Sequence, residues 1–347
     1  MTSPPPGPPS EDHPGRNGKL LAARLLVSAA ILGLLFLILP WEEIAEAARR
    51  MTLSLYAAAL LGFVAAHALG GTKWRIMMTA SGGGARLPIR DTVGCYGAGL
   101  FSNLFLPTVV GGDVVRAGLA ARAMGRRPEA VIFGSVADRL IDFASLALLL
   151  AGGAFIAGAE IAGWAGPAGG IFGVVALGAG LLFVSLVLRR PLDRWPRRLR
   201  RRIGRSLVAL RHLGRRPGTA LIALGLSLVM QSMFIVISAW LGHAVGAHAP
   251  LWAWFLVWPL AKFAGMLPVT LGGLGVRDAA LASLLVPFGV PLAVGLVASL
   301  AWNAVLIGGA LLGGLLWWRL KPGRRADTSS NSVHSTRDAR TASPPLS

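Results

Sequence analysis

The stretch LPTVVGGDVVRAG, Leu106 to Gly118, puts a proline, two adjacent glycines, an aspartate and an arginine into a chain that is otherwise mostly apolar. Proline removes a backbone donor and disrupts the preceding helical turn, and paired glycines let the chain reverse. In lipid, a broken backbone is tolerated only where protein buries it or it lines a wet cavity. Whether this segment crosses the membrane or turns back decides how the remaining spans are threaded.

The surroundings are membrane-like. The chain has 347 residues, 54% hydrophobic and 14% charged, with a mean hydropathy of +0.63. A soluble domain carries about 25% charged residues. Apolar stretches of about 20 residues can cross roughly 30 Å of hydrocarbon as helices, whereas a barrel would alternate polar and apolar positions. The predicted class is therefore an all-α polytopic membrane protein. The net charge of +19 does not indicate nucleic acid, because it is concentrated between spans. Twelve arginines and one acid, Asp193, lie between Arg189 and Arg216, a pattern that orients a membrane protein. A single cysteine, Cys95, and six histidines without an HExxH pair call for no metal site and no cofactor. With no nucleophile–base pattern either, the enzyme class is disfavoured.

Residues 1–18 are proline-rich and expected to be disordered, 19–320 form one membrane domain, and 321–347 are a polar tail. Full spans are predicted at Leu20–Pro40, Leu53 to about Gly71, Val131–Gly158, Ala168–Leu188, Ala220–Gly242 and Leu292–Trp318. Trp41–Arg50 reads as a short interfacial helix. Within the basic loop 189–216, Leu199, Ile203, Leu207, Leu210 and Leu213 recur at helical spacing, as in an amphipathic helix on a membrane surface.

Charge decides between the two threadings. With the N-terminus in the cytoplasm, two spans return the chain there at Lys73, Arg75, Arg86 and Arg90. If the segment Asp91–Leu106 crossed fully, Arg116, Arg122, Arg126, Arg127 and the arginine loop would all lie outside, against the positive-inside rule. If it dips in and returns, they stay inside. The same reasoning makes 252–288 re-entrant. Six full crossings plus two re-entrant hairpins follow, with both termini cytoplasmic. The second region holds LPVTLGGLGVRDAAL, Leu267 to Leu281. Pro107, Gly111, Gly112 and Arg116 match Pro268, Gly272, Gly273 and Arg277 at one constant offset along the chain. Three crossings separate the copies, so they face opposite ways, as inverted repeats with broken helices do. A half-helix starting after each glycine pair would aim its positive N-terminal end at the break, which suits an anion such as a lipid phosphate.

Charges also lie inside predicted spans. Asp138 and Asp142, four apart, share a helix face; Arg139 and Asp142 are three apart. Charges at that depth face the interior, pair, or line a water-filled path. Asp113, Asp138, Asp142 and Asp278 balance Arg116, Arg139, Lys262 and Arg277. They either neutralise one another or form a pathway for a charged headgroup or coupled ion. Asn103 stands ready to hydrogen-bond within the cluster.

The motifs NLFLPTVVGGDVVRAGLAARAMG, VADRLIDFASL and LPVTLGGLGVRDAAL, in that order, resemble the lysylphosphatidylglycerol synthase transmembrane region, or flippase-like domain, family over about residues 20–320. The resemblance implies movement of aminoacylated phosphatidylglycerol or another lipid-linked substrate between leaflets. It carries over to Asn103, Pro107, Gly111, Gly112, Asp113, Arg116, Asp138 and Arg139, and to Pro268, Gly272, Gly273, Gly275, Arg277 and Asp278. The family usually has glutamate where this chain has Asp278. The short polar tail after Trp318 does not accommodate the family's aminoacyltransferase domain, so synthesis of the lipid is not expected. The expected function is a lipid flippase of a bacterial-type inner membrane. Arg116 and Arg277 would hold phosphate, and Asp113, Asp138 and Asp142 a cationic part or proton. The expected partners are membrane lipids, anionic ones above all, and envelope-biosynthesis enzymes. The alternatives are an accessory protein that binds a lipid-linked substrate without moving it, and a small-solute transporter.

Overall fold

The computed structural model describes residues 42, 45–46, 49–81, 87–106, 111–124, 128–160, 217–266 and 275–322. The spans expected at 20–40 and 168–188, the arginine loop and both tails lie outside these residues. So do Pro107, Pro268, Gly272 and Gly273.

The described residues are helical, with no strand among them. The helices are α1 (Leu53–Ser81), α2 (Ile89–Ser102), α3 (Gly111–Ala123), α4 (Pro128–Glu160), α5 (Pro217–Ala244), α6 (Leu251–Gly265), α7 (Val276–Leu285) and α8 (Leu292–Leu320). Four are long and apolar enough to cross a membrane: α1, α4, α5 and α8. The other four are not. The longest, α6, has 15 residues, about 22 Å at 1.5 Å per residue, short of roughly 30 Å of hydrocarbon.

The short helices pair as the sequence predicts. Asn103 at the end of α2 meets Gly112 at the start of α3, and Gly99, one turn earlier, faces Arg116, one turn later. The two helices therefore run antiparallel. A Cβ on Gly99 would come within 2.9 Å of the Gly112 carbonyl oxygen, and one on Gly111 within 2.7 Å of Leu106 Cβ. The glycines are needed because backbone meets backbone at this turn. In the second hairpin, Trp252 at the start of α6 packs edge-on against Phe288 just beyond α7, with ring centroids 5.3 Å apart.

Each hairpin leans on a long helix distant in sequence. Helix α2 packs along α8, and α6 along α4, while α1 packs against α5 between them. Both crossings run through glycine. Gly313 meets the Gly97 backbone and Gly314 meets the Phe101 ring, while a Cβ on Gly153 would lie 2.9 Å from the Leu256 nitrogen. Small residues allow this close approach without a hydrophobic force between helices in lipid. The centre of the bundle is an aromatic cluster of Phe63, Phe234, Trp258 and Trp302, with successive ring centroids 5.6–6.3 Å apart, a range that suits edge-on and tilted packing.

One boundary differs from expectation. Helix α1 does not end near Gly71 but runs to Ser81. Lys73, counted above as a cytoplasmic loop charge, is inside the bundle with 1% of its surface exposed. Carboxylates on α4 neutralise it, so the helix continues through a charge that hydropathy alone treats as its end.

Candidate functional site

A cavity of about 210 Å³ lies between the two hairpins and the long helices. Its floor is the aromatic cluster, and its walls carry charge from α1, α3, α4, α6 and α7. Asn103, Asp113, Arg116, Asp138, Arg139, Asp142, Lys262 and Arg277 all line it, so the structure brings these predicted residues together. Asp278 faces elsewhere, and Gly111 and Gly112 shape the turn.

On the first-hairpin side the charges are closed into a network. Arg139 grips Asp113 with two parallel bonds, Nε to Oδ2 at 2.5 Å and Nη2 to Oδ1 at 2.7 Å. Arg116 donates through Nη2 to Asp138 Oδ2 at 3.0 Å. Its Nε lies 3.2 Å from Asp113 Oδ1 without hydrogen-bond alignment. The guanidinium sits over Trp74 and Tyr96, 5.1 and 5.3 Å from their ring centroids, a cation–π arrangement that suits arginine. Lys73 lies 3.1 Å from Asp138 Oδ1 and donates to Asp142. Asp142 also accepts from Ser227 Oγ at 2.6 Å. The helical spacing of Asp138 and Asp142 thus serves to hold one lysine between them. Removing one partner of such a buried set typically costs roughly 3–5 kcal/mol, because the other charge is stranded.

On the second-hairpin side the charges are not closed. Asp278 is 1% exposed and bound on all sides: it accepts from the Gly275 N–H at 3.0 Å, from Ser299 Oγ at 2.5 Å and from Asn303 Nδ2 at 3.0 Å. Gly275 has φ +83°, the left-handed conformation in which glycine is least strained. Arg277 donates to Asn303 and reaches Asp278 only at 3.5 Å. Lys262 has no carboxylate within ion-pair distance among the described residues. Its Nζ donates to the neutral Gln231 Oε1 at 2.9 Å and sits 4.8 Å from the Trp258 ring centroid.

The expected helix-end donors are partly spoken for. The N–H of Gly112 is taken by Asn103 Oδ1 at 3.0 Å, and that of Gly275 by Asp278. The charge offered to the cavity therefore comes chiefly from side chains. Lys73 also overturns the expected balance of charges. Five cations line the cavity (Lys73, Arg116, Arg139, Lys262, Arg277) with three carboxylates (Asp113, Asp138, Asp142). Adding Asp278 still leaves one positive charge over.

Sequence reasoning missed Lys73, Ser227, Gln231, Ser299 and Asn303. Gln231 and Ser227 carried a usable signal, being polar residues in the long apolar run of α5. Ser299 and Asn303 follow Asp138 and Asp142 at the same offset that relates Pro107 to Pro268, so extending the repeat beyond its motif would have found them.

The model of the lysylphosphatidylglycerol synthase transmembrane region matches residues 21–314. The chain belongs to that family. Membership ties this helical bundle to the membrane and to a lipid-related function. A comparison with curated proteins finds no match.

Proposed function

We propose that this member of the lysylphosphatidylglycerol synthase transmembrane family moves a lipid with an anionic headgroup between leaflets, holding the headgroup between the two broken hairpins. The observation that carries this reading is Lys262, a cation facing the cavity with only an amide and an aromatic ring for company. An uncompensated buried charge costs several kcal/mol. A phosphate brought into the cavity offsets that cost and matches the single unbalanced positive charge.

Alternating access follows from two inverted halves rocking about a midplane site. The cross-packing of α2 on α8 and α6 on α4 supports that relation. So does the recurrence of the repeat offset in the crossing glycines Gly153 and Gly314. In this reading six helices cross an inner membrane, both termini are cytoplasmic, and the hairpins enter from opposite faces.

The test is reconstitution in liposomes with labelled lipids of anionic, zwitterionic and cationic headgroup, following label movement across the bilayer. Anionic lipid is expected to move faster than in empty vesicles, and Lys262→Gln to slow it at least tenfold. If no headgroup moves faster than in empty vesicles, transport is excluded. Retained lipid binding in that case would support the binding-only alternative.

A further inference from the structure

A second, larger cavity of about 630 Å³ lies between α1, α2 and α8. Its walls are mostly apolar, with Val64, Ala68, Val93, Leu312 and Leu316 among them. Its rim is open to the outside of the bundle: Val64 is 40% exposed, Leu315 49% and Leu316 43%. Phe63, His67, Tyr96 and Leu100 line this groove and the charged cavity alike, so the two share a wall. At the shared wall His67 Nδ1 and Tyr96 Oη are hydrogen-bonded at 3.1 Å.

From this juxtaposition we infer that the groove between α1, α2 and α8 seats an acyl chain of the same lipid whose anionic headgroup lies in the charged cavity, with the His67–Tyr96 pair at the level of the ester linkages. The inference rests on the headgroup reading above and names what the rest of the molecule must be. From the cavity across this wall into the groove, surfaces come in the order charged, hydrogen-bonding, mostly apolar, with Arg75 in the groove lining donating to the Leu87 carbonyl. A phosphoglyceride has the same order of phosphate, ester and hydrocarbon. A small hydrophilic anion would leave the groove unused. A fatty acid would leave the His67–Tyr96 pair without an ester to meet, and a neutral lipid would leave Lys262 unmatched.

The pair at the shared wall suits its place chemically. Tyrosine and histidine each combine an apolar ring with a polar edge. Tyr96 also carries Arg116 over its ring, which links the wall to the charge network. A chain entering the groove leaves one apolar medium for another, so the groove adds packing contacts and register with the headgroup rather than a hydrophobic gain. A chain that fills the groove therefore biases selection towards lipids over their water-soluble headgroups.

The experiment uses the full chain in phosphatidylcholine liposomes and two photoreactive probes with the same diazirine-bearing acyl chain, one a phosphatidic acid and one a neutral diacylglycerol. Labelled residues are located by mass spectrometry. Labelling of Val64, Leu312 and Leu316 is measured relative to Leu221 and Ile222 on α5, which are 67% and 58% exposed. The expected result is at least threefold more groove labelling by phosphatidic acid than by diacylglycerol. Lys262→Gln should abolish that difference. Ala68→Trp, a substitution at an exposed groove position, should abolish it by filling the space.

In parallel, the melting temperature of the wild type is followed with and without phosphatidic acid. If phosphatidic acid stabilises the protein but labels the groove no more than diacylglycerol does, the acyl-chain inference is overturned and the headgroup reading stands. If it neither stabilises the protein nor labels the groove preferentially, both fail. Unchanged preferential labelling in a folded Ala68→Trp protein also overturns the groove as the seat of the chain.

Discussion

The two hairpin regions of the molecule have opposite electrostatic habits. In the first, the long helix α4 supplies Asp138 and Asp142, which hold Lys73 and Arg116. In the second, Ser299 and Asn303 on α8 stand at the sequence offset that separates Pro107 from Pro268; they are neutral groups that serve as donors to Asp278. The first half thus closes its charges into a scaffold, whereas the second pairs Arg277 with Asp278 at 3.5 Å and leaves Lys262 facing the cavity with no carboxylate in ion-pair distance among the described residues. A broken-helix motif alone does not say which charges are structural. The partners one helix away do.

The largest expected effect tests the closed half. Asp138→Ala takes one of two carboxylates from Lys73 and the hydrogen-bond acceptor from Arg116, and should lower stability by roughly 3–5 kcal/mol, measured by denaturant unfolding in detergent micelles. A loss below about 1 kcal/mol would mean that water reaches these groups and that the network is no scaffold. Next comes the turn that closes the first hairpin. Gly112→Ala drives a methyl into the Gly99 carbonyl and Asn103, and overpacking of this kind costs typically about 1–3 kcal/mol. A neutral result in the same unfolding measurement would show that the hairpin opens easily there.

Lys262→Gln sharpens the contrast. The ammonium makes no ion pair among the described residues, so its removal should leave stability unchanged or raise it while slowing anionic-lipid movement at least tenfold. A variant that unfolds as readily as Asp138→Ala would place Lys262 with the scaffold instead. The smallest effect is expected at Ser238, whose buried hydroxyl has no partner among the described residues. Ser238→Ala should be neutral or slightly stabilising, since it removes an unsatisfied group. A loss of lipid binding there would reveal a role for that hydroxyl.

Much of this contrast was legible in the sequence, for definite reasons. The paired motifs Pro107–Arg116 and Pro268–Arg277 announce two breaks, because proline and paired glycines act locally on the backbone. Charge counting predicts that these regions turn back rather than cross, and the helices in them, α2, α3, α6 and α7, have 10–15 residues each. The i,i+4 spacing of Asp138 and Asp142 shows that they share a face. What they face is a tertiary fact. Lys73 looked like a loop charge because its partners lie far along the chain, on α4. The openness of Lys262 was hidden for the complementary reason, since a formal balance of charges does not reveal that Arg139 takes Asp113 and that Asp278 is bound by α8. The apolar groove had no signal at all, because its walls on α1, α2 and α8 are ordinary membrane-facing residues until the helices meet.

The central claim is that the open cation of the second half selects an anionic headgroup. Native mass spectrometry of lipids retained by the protein released from mixed nanodiscs tests it most directly, with equal amounts of phosphatidic acid and phosphatidylcholine supplied. The wild type should retain phosphatidic acid in clear excess, and Lys262→Gln should retain the two equally. Equal retention by the wild type, or an undiminished excess in the folded variant, would contradict the account.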